Sequence, residues 1–339
     1  MNHPLIVIVV SFLLLWVLAC VSLVVGPISI PLIGTAEWLF GWDRTALSET
    51  ERAILWELRL PRIITACLVG GSLGVSGVGF QGLFRNPLAD PYVIGASSGA
   101  ALGVTLALVV GFQFSLLGLG GTALAAFVGS ILSVVVVFLI GSIGNDRSAL
   151  SLLLAGVALS SMINALVSLL MYMHDEKVVV ILAWLMGSLT GNDWETVATT
   201  MVGAIVGFGI LWSLSRPLDV FLLGDLTSQS LGLDLARFRI LVVTGSSIAT
   251  AAAVAAAGII GFVGLIAPHV ARALVGPRHA WLIPMSACVG ATILLLADGF
   301  ARTIVAPAEL PVGIVTAILG CPFFLFVLKS RSSIGGTAS

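Results

Sequence analysis

Long apolar runs separated by short polar segments fill the whole chain, and the runs have the length of helices that cross a membrane. At about 1.5 Å of rise per residue, a helix needs about 20 apolar residues to traverse hydrocarbon. The runs predict spans near 5–25, 60–82, 92–110, 117–140, 150–173, 196–214, 238–257, 259–275, 281–301 and 310–328. Between Ile240 and Ala271 no Asp, Glu, Lys or Arg occurs for 32 residues. That is too long for one upright helix and short for two. Gly258, Gly261, Gly264 and Pro268 fall where a break is needed, so a full span followed by a short or broken one is expected. The extended alternation of polar and apolar residues that marks a β-barrel is missing. The expected fold is an all-α integral membrane protein of about ten transmembrane helices in a compact bundle, one domain over residues 1–339.

Composition strengthens this reading. Hydrophobic residues make up 59% of the chain and charged residues 9%, against about 25% charged in a soluble domain. A water-facing surface cannot be covered with so few polar groups, so lipid is the expected solvent. The formal net charge of -1 excludes a nucleic-acid binder, which needs a dense basic patch. Glycine, alanine and serine crowd the spans, as in Gly70-Gly71-Ser72-Leu73-Gly74; small residues let helices approach closely in lipid. Cys20, Cys67, Cys288 and Cys321 lie far apart in apolar stretches without CxxC spacing, so they read as packing residues, with no metal site or cofactor expected. Met162, Met171, Met173 and Met186 read the same way, and His269 as structural. Met1 to Val25 holds no Lys or Arg and no small-residue cleavage site, which suits a first span better than a signal peptide. The distribution of Lys and Arg over the polar segments modestly favours both termini on the cytoplasmic side of the cell membrane.

Two short blocks recur in order. Gly79-Phe80-Gln81-Gly82-Leu83 followed by Pro87 is similar to Gly261-Phe262-Val263-Gly264-Leu265 followed by Pro268, and Ala155–Leu159 to Val312–Thr316. About five spans separate each pair, so a true repeat would be inverted, a common plan among transporters.

Three stretches carry more than hydropathy. The first runs from Leu58-Arg59-Leu60-Pro61-Arg62 to Gln81-Gly82-Leu83-Phe84-Arg85-Asn86-Pro87-Leu88-Ala89-Asp90-Pro91. The second runs from Arg216-Pro217-Leu218 through Leu223-Gly224-Asp225 to Leu231-Gly232-Leu233. The third runs from Gly261-Phe262-Val263-Gly264 through Leu296-Ala297-Asp298 and Ala301-Arg302 to Glu309-Leu310-Pro311-Val312-Gly313 and Gly320-Cys321-Pro322. Together they resemble the FecCD-type permeases of ABC importers for iron–siderophore complexes, haem and vitamin B12, over about residues 55–328. The resemblance implies a homodimer with the translocation path on its axis, two separate ATPase subunits on the cytoplasmic side, and a soluble or lipid-anchored binding protein docking outside. The chain itself has no GxxxxGK[ST] phosphate loop, its only lysines being Lys177 and Lys329, so no ATP site of that kind forms in it and no catalytic residue is expected.

The resemblance also distributes roles. It puts Arg59, Arg62 and Arg302 at the face where acidic residues of the binding protein dock, where rim charges steer encounter; arginines near span ends also snorkel to headgroups. It puts Asn86, Pro87 and Leu88 at a cytoplasmic gate, although Asn-Pro is equally ordinary turn chemistry. The segment 215–239 is expected to be the ATPase-coupling element, two short surface helices carrying Leu223, Gly224, Asp225, Leu231 and Gly232, with the glycines as turns. Asp298 and Arg302 are four apart and can pair on one helical face. An ion-coupled secondary transporter is the competing class, and Asp298 is the one carboxylate placed to serve it. A passive channel lacks a ring-forming repeat of filter residues.

Overall fold

The computed structural model describes residues 4–26, 28, 30–41, 47–112, 120–141 and 149–335; Arg44 and Arg147, two of the arginines in the distribution weighed above, lie outside them. The described residues are helical nearly throughout: α1 (Pro4–Val24), α2 (Leu32–Phe40), α3 (Glu49–Ala53), α4 (Leu60–Leu83), α5 (Ala96–Val110), α6 (Gly121–Gly141), α7 (Ala149–Met173), α8 (Val178–Leu185), α9 (Trp194–Ser213), α10 (Ser215–Phe221), α11 (Asp225–Ser230), α12 (Leu235–Ala257), α13 (Val263–Val275), α14 (His279–Thr303) and α15 (Val312–Gly335). Seven helical runs are long and apolar enough to cross a membrane, and three shorter apolar helices lie over 96–110, 263–275 and 312–325. Each of the ten falls within one of the expected spans or overlaps it.

The departures have local causes. The second span starts earlier than expected, because Ser48 and Glu51 form a reciprocal capping box that opens the helix at Glu49. A π-helical stretch over Ile54–Arg59 joins α3 to α4, making one run from Glu49 to Leu83. The third begins only at Ala96, after a 3-10 turn over Pro91–Ile94. In the long neutral stretch the break occupies 258–262, with Gly258 at φ 69° and Phe262 also at φ 69°. Gly264 and Pro268, taken above as part of that break, sit inside α13.

α4 is the hub, packed against α9, α12, α13 and α14. A β-carbon at Gly70, Gly74 or Gly77 would overlap the backbone carbonyl of Gly290, Ser286 or Gly264 respectively. The stripe of small residues thus decides which helices can lie against α4. Hydroxyls add a polar link to α12: Ser76 Oγ donates to the Ser246 carbonyl at 2.9 Å and lies 2.6 Å from Thr250 Oγ1. At the outside of the bundle, α1 exposes Leu5, Phe12, Leu14 and Trp16, as a lipid-facing helix does. The suspected repeat blocks sit in different settings: 79–83 closes α4, whereas 261–265 spans the break and the start of α13.

Candidate functional site

Charged residues collect at the two ends of α4. At its N-terminal end the π-helical turn and first helical turn aim Arg59 and Arg62 inward, where the last turns of α14 bring Asp298 and Arg302. Arg62 grips Asp298 with Nη2 at 2.8 Å and Nε at 3.0 Å from Oδ1, and donates through Nη1 to Glu309 Oε2 at 2.8 Å. Arg302 Nε stands 3.1 Å from Asp298 Oδ2, and its Nη2 donates to Ser22 Oγ at 2.6 Å. Arg59 donates to the carbonyls of Leu23, Val24 and Ile28. Thr190 Oγ1 donates to Glu309 Oε2 at 2.8 Å. Asp298 is 0% exposed, Arg302 3% and Arg59 6%, so these groups form an internal network and leave little arginine surface. Two guanidiniums on one buried carboxylate satisfy its charge and fix the spacing of α4, α14 and α1.

At the other end, α4 runs into the 85–91 turn. Asn86 Oδ1 accepts from Leu88 N at 3.0 Å, and Asp90 Oδ1 accepts from Tyr92 N at 2.8 Å to cap the 3-10 turn. Burial raises the Asp90 carboxyl from its ordinary 3.8 to about 6. Tyr92 reaches the break in the long neutral stretch: its hydroxyl accepts from Ile260 N and donates to the Ile260 carbonyl, each at 3.2 Å. Between α9 and α12, the chain makes two short helices, α10 and α11, with Gly224 at φ 106° and Gly232 at φ 86° as their turns. Asp225 Oδ2 accepts from Arg239 Nη2 at 2.8 Å and Oδ1 from Arg85. Asp219 Oδ1 accepts from the His279 amide at 3.1 Å and lies 2.6 Å from its Nδ1, tying α10 to the start of α14.

A profile of the FecCD transport family matches residues 14–330. The chain belongs to the FecCD transport family. It is 42% identical to the molybdate import system permease protein of Haemophilus influenzae, with 92% of each chain covered. It is 40% identical to the hemin transport system permease protein of Yersinia pestis over 86% of this chain and 90% of that one. It is also 40% identical to the cobalamin import system permease protein of Halobacterium salinarum over 84% and 75%. A solved metal-chelate type ABC transporter in an inward-facing conformation superposes with a TM-score of 0.85 at 38% identity, covering 97% of this chain and all of that one. This FecCD-family chain is therefore a multi-pass membrane permease of the ABC-importer type.

Among the described residues of this FecCD permease, no group of three or more His, Cys, Asp or Glu is arranged to hold a metal. The tertiary structure brings Arg62 and Arg302 together on Asp298, and ties the turn holding Asn86, Pro87 and Leu88 to α10 and α11 through Arg85. It also adds residues that sequence reasoning left unassigned. Glu309 and Thr190 complete the network around Arg62, and Arg85, Arg239, Asp219 and His279 anchor α10 and α11. Their signal in the sequence is weak, since each partner is a single charged or polar residue tens to hundreds of positions away.

Proposed function

We propose that this chain is the membrane subunit lining the translocation path of an ATP-driven importer for a ferric siderophore, haem or cobalamin delivered by a binding protein. The observation that carries this is the near full-length likeness to a metal-chelate type transporter, joined to relatives named for cobalamin and hemin. The subunit works as a homodimer with two ATPase subunits, in the cell membrane of a bacterium or archaeon with both termini cytoplasmic. The relative named for molybdate makes an oxyanion the second candidate cargo. Ion-coupled secondary transport has little to work with here: Asp298 is already neutralised by Arg62 and Arg302.

Docking of the binding protein falls at the end of the bundle where α4 starts. Arg59, Arg62 and Arg302 act there mainly by positioning, because their buried bonds hold the surrounding surface in register, and Arg62 keeps a partial exposure toward Glu309. The ATPase falls at the opposite end. Leu218 and Phe221 are buried while Leu222, Leu223, Leu226 and Leu231 stand exposed, leaving α10 and α11 an apolar face for a partner, with Gly224, Asp225 and Gly232 shaping the turns. Asn86, Pro87 and Leu88 close the path on that side.

Reconstitution tests the proposal. The chain, combined with a candidate ATPase subunit and binding protein from the same organism, goes into liposomes supplied with cyanocobalamin, haemin, ferric citrate or molybdate. ATP-dependent uptake of one of the first three is expected. Uptake of molybdate alone reassigns the cargo, and uptake driven by a proton or sodium gradient without ATP overturns the mechanism.

A further inference from the structure

We propose that Arg85 is a positioning residue that locks the 86–91 turn to the coupling helices, making the two move as one unit. Three contacts from this one side chain support it. Arg85 Nη2 and Nε donate to the Phe221 carbonyl at 2.7 and 3.1 Å, at the C-terminal end of α10. Its guanidinium carbon stands 4.0 Å from the centre of the Phe221 ring, within range of a cation–π attraction. Its Nη2 also donates to Asp225, the first residue of α11. One planar fork thus spans the turn at Gly224 and holds both short helices.

Backbone geometry points the same way. Arg85 sits at φ 48° and is one of two non-glycine residues with positive φ among the described residues. A long side chain rarely adopts that conformation, and it persists where surrounding contacts overdetermine it. Left-handed geometry at this position ends α4 and turns the chain toward Asn86, whose amide returns to the Gln81 carbonyl at 3.1 Å. The residue that bends the chain is the same one whose side chain reaches α10 and α11.

Asp225 is the other half of the device. Its second oxygen is held by Arg239, on the first turns of α12. A push on α11 therefore has two charged outlets, one into α12 and one into the 86–91 turn. This inference rests on the reading of α10 and α11 as the ATPase-coupling element, and it assigns the path from that element to the gate.

Two measurements test it, the first independent of cargo and partners. Hydrogen–deuterium exchange is followed in the purified full chain in nanodiscs for wild type, Arg85→Ala, Asp225→Asn and the double variant. Among the described residues Asp225 makes no hydrogen bond or ion pair to residues 86–90, yet Asp225→Asn is expected to speed exchange at Leu88 and Ala89 about fivefold, the effect of one partly exposed charged contact. Adding Asp225→Asn to Arg85→Ala should change those amides little further, the non-additivity of residues in one network. Exchange at 86–90 unchanged by Asp225→Asn overturns the linkage. The second measurement is uptake per ATP hydrolysed in the reconstituted complex, where Arg85→Ala is expected to lower the ratio at least fivefold while the ATPase still copurifies. An unchanged ratio overturns the gating role of Arg85. A wild-type complex that moves none of the four cargoes refutes the importer reading and leaves the exchange result to decide the linkage.

Discussion

Arg62 and Asp298 meet across 236 positions of sequence as a two-point ion pair, with Arg62 Nη2 2.8 Å from Asp298 Oδ1 and Nε 3.0 Å from the same oxygen. Asp298 is wholly buried, and so this pair cannot be opened cheaply. Removing Arg62 leaves Asp298 with Arg302 alone and Glu309 without its guanidinium, and removing Asp298 leaves Arg302 without its carboxylate. The loss is therefore expected to approach that of a broken buried pair, about 3–5 kcal/mol. Arg62→Ala and Asp298→Asn are both expected to lower the melting temperature of the purified chain by many degrees. Arg62→Glu, which sets a third carboxylate against Asp298 and Glu309, should prevent accumulation of folded chain. Wild-type thermal stability in Arg62→Ala contradicts the structural role of the pair.

Two glycines separate packing from conformational strain. A β-carbon at Gly77 overlaps the Gly264 carbonyl, so Gly77→Ala forces α4 and α13 apart and should cost more than about 3 kcal/mol. At Gly224 nothing lies within 4 Å of an added β-carbon, but φ is 106° and ψ 157°, a region essentially reserved for glycine. Gly224→Ala should therefore cost about 1–3 kcal/mol, all of it backbone strain. Gly224→Trp is expected to yield a folded chain that still binds its binding protein yet releases or uncouples the ATPase. Folding lost in Gly224→Trp would point to a purely structural glycine, and normal transport removes the coupling role.

Asp90 sets a pH dependence. In the folded chain its carboxyl keeps a proton up to about pH 6, whereas an unfolded aspartate releases it near 3.8. Between those values the folded state holds more protons, so stability falls as pH rises and the loss is complete above about pH 6. Asp90→Asn keeps an oxygen for the Tyr92 amide and removes the buried charge. It should stabilise the fold at pH 7.5 by at most about 3 kcal/mol, read as a higher melting temperature, and flatten the decline between pH 4 and 6. No gain at pH 7.5 contradicts the raised carboxyl.

The isolated chain is expected to hydrolyse no ATP, since neither Lys177 nor Lys329 follows a glycine-rich phosphate loop. Phosphate release by the purified chain, measured after removal of every ATPase subunit, should stay at background.

Hydropathy and local chemistry alone determined the helical membrane fold, the spans, the interruption of the long neutral stretch, and the two short helices turned at Gly224 and Gly232. Each of these depends on residues a few positions apart, whose lengths, missing β-carbons or missing amide hydrogens act locally. Sequence also paired Asp298 with Arg302, because i and i+4 share a helical face. The tertiary structure decided the rest. Arg59, Arg62 and Arg302 face inward because a π-helical turn and the crossing of α4 with α14 bring buried acceptors to them, whatever their distance along the chain. Gly264 and Pro268 lie within α13, and Gly77, lacking a side chain, lets α4 pack directly on them. The grip of Arg85 on Phe221 and Asp225 joins residues about 140 apart, and no periodicity encodes a contact that only the folding of α4 against α10 creates.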